Sequence, residues 1–456
     1  MVFYEANTAL FALGSAYLLH WQYYKPGRPA EKNEGARGVL DGEDASDDGT
    51  EVDSSDAARK FQIDFFSVYA LAVAVDWLQG PHIYAIYRYE KQLPEKTVAA
   101  LYAAGFVAGA ASASFAGGLA DRYGRRAACL CYCAVYALAC LSMLSSDLVV
   151  LFLGRLCGGI STTLLFSVFP AWMITAYHSR GLQGSELDLS SIFSKMSSLS
   201  CVVAISSGIL GDFLVTHLGS RVGPFLAATA CAAAAGYRIA TTWEENHGTR
   251  SSPKTSSPLS GVRSILAGLF DTRVLALGIA SSIFEGTMYL VVFFWSAALK
   301  SARAHANAAE GGELPFGLIF SSFMCCMLTG STLFALSSPS RDSAALMLMA
   351  ALLAVSGCLS AAVLATMCEA AVFWAVCLVE LCIGVYFPSM ELLKSEAVED
   401  GVRGRTYSLM RVPLNIFVVV AHALDQEGDE HRNNVFLVCA VLLIVAFFVV
   451  RRAFAS

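Results

Sequence analysis

The sequence predicts an all-α integral membrane protein, and three observations carry that prediction. Apolar residues fill 56% of its 456 positions and charged residues only 15%, a balance far from that of a soluble chain of this length. A helix needs about 20 mainly apolar residues to cross a bilayer, and thirteen segments have that length and character. At the junction of the third and fourth lies Gly117-Gly118-Leu119-Ala120-Asp121-Arg122-Tyr123-Gly124-Arg125-Arg126, which packs four charged side chains and three glycines into one short connection.

The segments follow in order. The first, within 1–24, has no basic residues ahead of its apolar run and no small-residue cleavage site at its end, so it reads as a retained extra helix and not as a removed leader. Residues 25–60 open on Lys25-Pro26-Gly27-Arg28-Pro29 and continue rich in Gly, Asp and Glu. With too few large apolar side chains to form a core, they predict a disordered acidic cytoplasmic linker. Apolar segments at 65–87, 97–119, 127–145, 148–176, 190–217 and 222–242 predict a six-helix bundle over 61–242. Pro253, Pro258 and a cluster of Ser and Thr mark 243–270 as a central cytoplasmic linker. Segments at 274–299, 315–337, 343–367, 370–393, 405–424 and 433–452 predict a second six-helix bundle over 271–453. The net charge of −6 says little about partners, since much of the excess acid lies between Glu31 and Asp56.

Charge sidedness sets the expected topology. With the decamer, both linkers and the C-terminus on one side, twenty Lys and Arg fall there against seven opposite. Inside loops carry such an excess, which predicts a cytoplasmic C-terminus and an N-terminus outside. Thirteen of the fourteen cysteines fall within the apolar segments and Cys368 between two of them; without the spaced partners of a zinc site they read as small packing residues. No metal or cofactor is implied.

A weak internal repeat is also legible. Arg155-Leu156-Cys157-Gly158-Gly159-Ile160 matches Glu380-Leu381-Cys382-Ile383-Gly384-Val385, and Leu78-Gln79-Gly80 matches Phe284-Glu285-Gly286. Two related halves are what a rocking transporter is built from, with substrate between them near mid-membrane.

Ionisable side chains inside the bilayer cost roughly 2.5–3.5 kcal/mol each on insertion scales and mark function or pairing. Here they are Asp76, Arg155, Lys195, Glu285, Glu380 and Arg411. Arg155 and Arg411, with Lys195, read as substrate-binding cations or as members of structural ion pairs. Asp76 and Glu285 flank Gly80, Pro81 and Gly286, where a helix break would let a carboxylate alternate between protonated and paired states; static pairing with a cation is the other reading. Glu380 is expected opposite Arg155 as a structural pair. Trp77, Tyr84, Tyr289 and Trp295 read as packing or interface anchors, and His82 and His422 as hydrogen-bonded helix residues.

The decamer resembles the signature loop after the second helix of the major facilitator superfamily. The resemblance implies a conformational latch of Gly117, Asp121, Arg122, Gly124, Arg125 and Arg126, in which the Asp holds the end of a neighbouring helix and the arginines engage acidic or carbonyl partners. It also makes 65–87 the first helix of the standard twelve, so the fold expected is two six-helix bundles plus one extra N-terminal transmembrane helix. Within the superfamily the chain resembles the molybdate-anion transporter family, through Asp76-Trp77-Leu78-Gln79-Gly80-Pro81, Leu153-Gly154-Arg155, Ile319-Phe320-Ser321-Ser322-Phe323-Met324, Gly384-Val385-Tyr386-Phe387-Pro388-Ser389-Met390 and Arg411-Val412-Pro413-Leu414. One departure stands out. Phe169-Pro170-Ala171-Trp172 has proline where that family usually carries an acid.

The resemblance implies high-affinity molybdate uptake at the cell membrane by alternating access. The oxyanion is then held by arginines, and Asp76, Glu285 or Glu380 serve coupling or gating, with protons as the candidate coupling ion. Rival readings are a facilitator for sulfate, nitrate or an organic anion, and a non-transporting membrane sensor of the same fold. An enzyme finds no support, because no catalytic constellation, metal-ligand spacing or nucleotide loop occurs, and no feature points to nucleic acid.

Overall fold

In the computed structural model the chain is helical wherever its sequence runs apolar. The structure describes residues 2–24, 48–113, 115–182, 189–247, 271–305, 314–337, 340–397, 403–424, 426 and 428–454, with no strand among them. The first part of the chain forms α1 (Val2–Tyr24), α2 (Asp48–Gln79), α3 (Glu95–Ala113), α4 (Ala116–Tyr123), α5 (Arg125–Ser142), α6 (Leu148–Ser179), α7 (Leu189–Leu218) and α8 (Gly223–Thr242). The second forms α9 (Thr272–His305), α10 (Phe316–Leu336), α11 (Arg341–Leu364), α12 (Glu369–Ala397), α13 (Arg403–Ala423) and α14 (Asp429–Phe454).

Ten of these helices are long and apolar enough to cross a membrane. The other three of the thirteen predicted segments, α1, α8 and α13, are helical as well. α1 carries Glu5, Asn7, Thr8 and Ser15, and among the described residues of α13 Pro413–Ala423 is apolar.

Helices α2, α3 and α5 to α8 pack as one half and α9 to α14 as the other, and the halves meet along α7 against α10 and α3 against α13. The repeat read from sequence has a packing counterpart in both halves. A Cβ on Gly159 of α6 would lie 2.1 Å from the Gly105 carbonyl oxygen of α3, and one on Gly384 of α12 would lie 2.0 Å from the Met327 carbonyl oxygen of α10. Such close backbone approach is how small residues hold helices together in lipid. The matched glycines thus set equivalent crossings.

Local signals place several ends. Asp147 caps α6, accepting from the Val149 and Val150 amides at 2.8 and 3.2 Å, and Ser340 with Ser343 forms a capping box on α11. The α2 pattern fails at Gly80-Pro81, as the sequence suggested. A 3₁₀ turn at Gly80–His82, one α turn at Ile83–Ala85 and a π turn at Ile86–Glu90 carry the chain onward. The break expected at Gly286 does not occur. There α9 is continuous, and the missing side chain instead admits the Phe417 ring, whose Cδ1 would lie 2.3 Å from an added Cβ.

One predicted linker is shorter than expected. Within 25–60, residues from Asp48 onward belong to α2, because acids that cannot build a core are nonetheless favoured at a helix N-terminus. Residues 25–47 lie outside the described residues, as do 248–270 of the central linker. α1 packs on α10 through a polar ladder that repeats every seven residues, and on α12 at its start. Thr8 bonds the Leu318 carbonyl at 3.1 Å and Ser322 at 2.9 Å, and Ser15 bonds the Cys325 carbonyl at 3.0 Å and Thr329 at 3.1 Å. At its start Tyr4 donates to Glu369, which also takes Arg303 in a two-point pair at 2.7 and 2.9 Å. The extra helix is therefore fixed to the second half.

Candidate functional site

Arg155 extends from α6 over the backbone of α3. Its Nε donates to the Leu101 carbonyl at 3.3 Å and its guanidinium carbon lies 5.2 Å from the Tyr102 ring centre. Gly105 makes this possible, since a Cβ there would come within 2.8 Å of Arg155 Nη2. The side chain remains partly exposed and forms no ion pair within 4.0 Å among the described residues. An arginine whose guanidinium is docked through Nε and one face, with no hydrogen-bond partner for its Nη groups among the described residues, is suited to planar, multi-donor recognition of an oxyanion.

Asp76 shares this level of the first half. It accepts a hydrogen bond from Tyr136 of α5 and lies within electrostatic reach of Arg155. It too keeps partial exposure. His422 of α13 completes the group from the other half, stacked on Tyr102 with ring centres 6.2 Å apart and within electrostatic reach of Arg155.

The remaining sequence-predicted residues are elsewhere. Lys195 donates to Gln62 Oε1 at 2.8 Å. Gln62 precedes Asp76 by fourteen helical positions, or about 21 Å along the axis, so Lys195 is not beside Arg155. Arg411 lies eleven positions before His422, about 16 Å along α13, and its side chain is outside the described residues. Glu285 is buried and accepts from Tyr386 OH at 3.1 Å. Glu380 is buried and makes no ion pair among the described residues. The expected Arg155–Glu380 pair is absent because Arg155 spends its reach inside its own half, on α3. Trp77, expected as an anchor, donates to Ser200 Oγ at 3.0 Å.

The signature decamer closes inside the first half. Arg125 pairs with Asp121 at 2.7 Å and donates to the Ala171 carbonyl at 2.9 Å and to Thr175. Arg126 donates to the Ala240 carbonyl at 2.7 Å and the Ile239 carbonyl at 3.3 Å, whereas Arg122 lies over the Tyr123 ring at 5.4 Å. Asp121 bonds Arg125 and, among the described residues, no helix end. Gly124 has φ 114° and leaves room for Glu245, whose carboxylate accepts from the Arg126 and Ala127 amides at 2.8 and 3.1 Å. Gly117 needs no such freedom; it sits in α4 with open space where a side chain would go.

Sequence reasoning missed Glu245, because it falls in a stretch that reads as linker. Trp243, stacked on Trp172 at 3.7 Å, anchors that stretch to the bundle.

Contacts between the halves gather at the opposite end, around Tyr89. Asp212 of α7 accepts from the Gly317 and Leu318 amides of α10 at 2.9 and 3.2 Å. Ser321 donates to the Ile205 carbonyl at 2.9 Å, and a Cβ on Gly317 would lie 2.1 Å from the Gly208 carbonyl oxygen. Rings of the two halves meet at Tyr84–Phe293, Phe106–Tyr289 and Tyr89–Phe316, and Lys300 Nζ lies 3.4 Å from the Tyr89 ring centre. Asp212 was the other miss. It caps a helix of the opposite half, and sequence spacing carries no sign of such a partner.

The chain is similar to known transporters in sequence and in fold. A family model described as sugar transporters with 12 TM matches residues 38–386. A protein named molybdate-anion transporter from Xenopus laevis is 31% identical over 405 residues, covering 86% of each chain. One of the same name from Takifugu rubripes is 29% identical over 432 residues, covering 86% of this chain and 87% of its own. Among solved structures, the nucleoside transporter NupG superposes with TM-score 0.67 at 13% identity, covering 87% of this chain and 99% of its own. A D-xylose–proton symporter gives TM-score 0.63 at 13% identity, with 88% and 97% covered.

Proposed function

Since this chain belongs to the molybdate-anion transporter family of the major facilitator superfamily, we propose that it imports molybdate across the cell membrane by alternating access, with Arg155 as the principal oxyanion contact. That it is a multi-pass membrane protein of transporter fold follows from its helices and its relatives. The observation that carries the finer reading is the guanidinium of Arg155, fixed by Leu101, Tyr102 and Gly105 yet unpaired with any carboxylate among the described residues. The Tyr89 end is the extracellular one and the Arg125 end the cytoplasmic one, by the sidedness of Lys and Arg. The arrangement of contacts between halves is then that of a carrier closed outside. Lys195 and Arg411, set toward the cytoplasmic end of their helices, receive the anion as it leaves.

Importing a dianion against an inside-negative potential costs about 2.3 kcal/mol per charge per 100 mV, hence roughly 4.6 kcal/mol. Coupling to protons offsets it. Asp76 lies within electrostatic reach of Arg155 and competes with the oxyanion for the same cation, so the dianion binds most readily when Asp76 has taken a proton from outside. Release inside reverses both events. Glu285, already bonded to Tyr386, and Glu380 act in gating within the second half.

Proton coupling has its own test. Uptake into liposomes by the unaltered chain accelerates when the outside is acidified, whereas Asp76→Asn takes up molybdate at a rate indifferent to the pH gradient. An Asp76→Asn protein that still follows the gradient would remove Asp76 from the coupling step. Sulfate added in excess tests the substrate, since a carrier for sulfate loses its molybdate flux to competition.

A further inference from the structure

A groove of about 650 Å³ runs along the seam between α3 and α13. Lys96, Ala100, Ala103 and Val107 recur at helical spacing on one face of α3, opposite buried Val98, Leu101 and Gly105. The small alanines, with Ala423 from α13, leave the gap that larger side chains would fill. Exposed Val107, Leu156 and Leu424 show that it opens outward and not toward Arg155's fork. Its volume is in the range of about 300–1,000 Å³ that proteins use for one small ligand.

Three features identify an occupant. From Lys96 to Val107 is eleven helical positions, about 16 Å, close to the half-thickness of a hydrocarbon core about 30 Å across. The groove therefore has the depth of one leaflet. Lys96 stands at its mouth with no ion pair among the described residues, placed to meet a phosphate at the membrane surface. His422 lines it at 5% exposure; Nδ1 donates to the Val418 carbonyl at 2.8 Å, and Nε2, left as an acceptor, has no partner. A hydroxyl donor is what that atom lacks.

We propose that the α3–α13 groove binds one single-chain anionic lipid of the lysophospholipid class. Its phosphate lies at Lys96, its glycerol hydroxyl donates to His422 Nε2, and its acyl chain follows the alanine wall. The lipid occupies a seam that parts when the Tyr89 end opens, so it favours the closed arrangement. This proposal needs the chain to sit in a membrane and is independent of the ion it carries.

The test uses the purified full chain and native mass spectrometry, with lysophosphatidylglycerol and lysophosphatidylcholine of equal chain length. The unaltered protein retains one anionic lipid about fivefold more strongly than the zwitterionic one, the factor one lysine near a membrane surface supplies. Lys96→Glu removes that preference, and Ala103→Trp, which fills the groove, removes the retained lipid of either kind. Equal retention of the two lipids by the unaltered protein, or retention undiminished in Ala103→Trp, overturns the proposal and leaves only bulk boundary lipid. Molybdate uptake plays no part in the readout, so a failure here and a failure of the transport reading are told apart.

Discussion

Arg155→Ala abolishes measurable molybdate uptake while the protein still folds and inserts. The guanidinium has no carboxylate partner within 4.0 Å among the described residues, so its removal strands no buried countercharge in an ion pair. The helix crossing beneath it rests on Gly105 and Gly159, not on the charge. Loss of a charged hydrogen-bonding partner for a buried anion costs about 3 kcal/mol, or roughly 150-fold. Arg155→Lys keeps the charge but not the planar fork, and uptake falls to an intermediate level. Radiolabelled or mass-spectrometric molybdate uptake in cells expressing each variant at matched surface levels reads the series. Uptake by Arg155→Ala equal to that of the unaltered chain would move the anion site elsewhere.

Asp212→Ala releases the Tyr89 end. Its carboxylate caps the first turn of α10 across the boundary between halves, and an anionic cap at a helix N-terminus is worth about 1–2 kcal/mol. Losing it shifts the balance between closed and open arrangements by roughly 5- to 30-fold toward open, again by the cap's magnitude. Hydrogen exchange on the purified protein separates this from a local loss. Opening quickens exchange at the start of α10, at 205–212 of α7 and also in the end of α13 around His422, which Asp212 does not bond. Acceleration confined to Gly317 and Leu318 would make Asp212 a cap and nothing more.

Much of the architecture was legible in the chain because lipid imposes simple rules. A run of about 20 apolar residues has few alternatives to a helix, and the repeat of Arg155–Ile160 in Glu380–Val385 coincides with the two glycine crossings. The proline after Gly80 marked the break in α2.

What failed depended on contacts between distant segments. Gly286 looked like a second break, yet its role is to admit Phe417. Lys195 was expected beside Arg155, yet it bonds Gln62, about 21 Å before Asp76 along α2. Glu245 and Asp212 act as caps on amides far away in sequence, and no spacing rule reports that. The decamer was identified by its residues, but its partners were not. It is tied to Glu245, Ala171 and Thr175 of its own half and not, among the described residues, to a helix end of the other.

Direct transport by purified protein in liposomes tests the central claim. With molybdate outside, an acidic exterior and sulfate as competitor, the unaltered chain accumulates molybdate, an acid exterior speeds it, and Arg155→Ala liposomes match empty ones. Accumulation no greater than in protein-free liposomes, or equal accumulation with and without Arg155, contradicts the account.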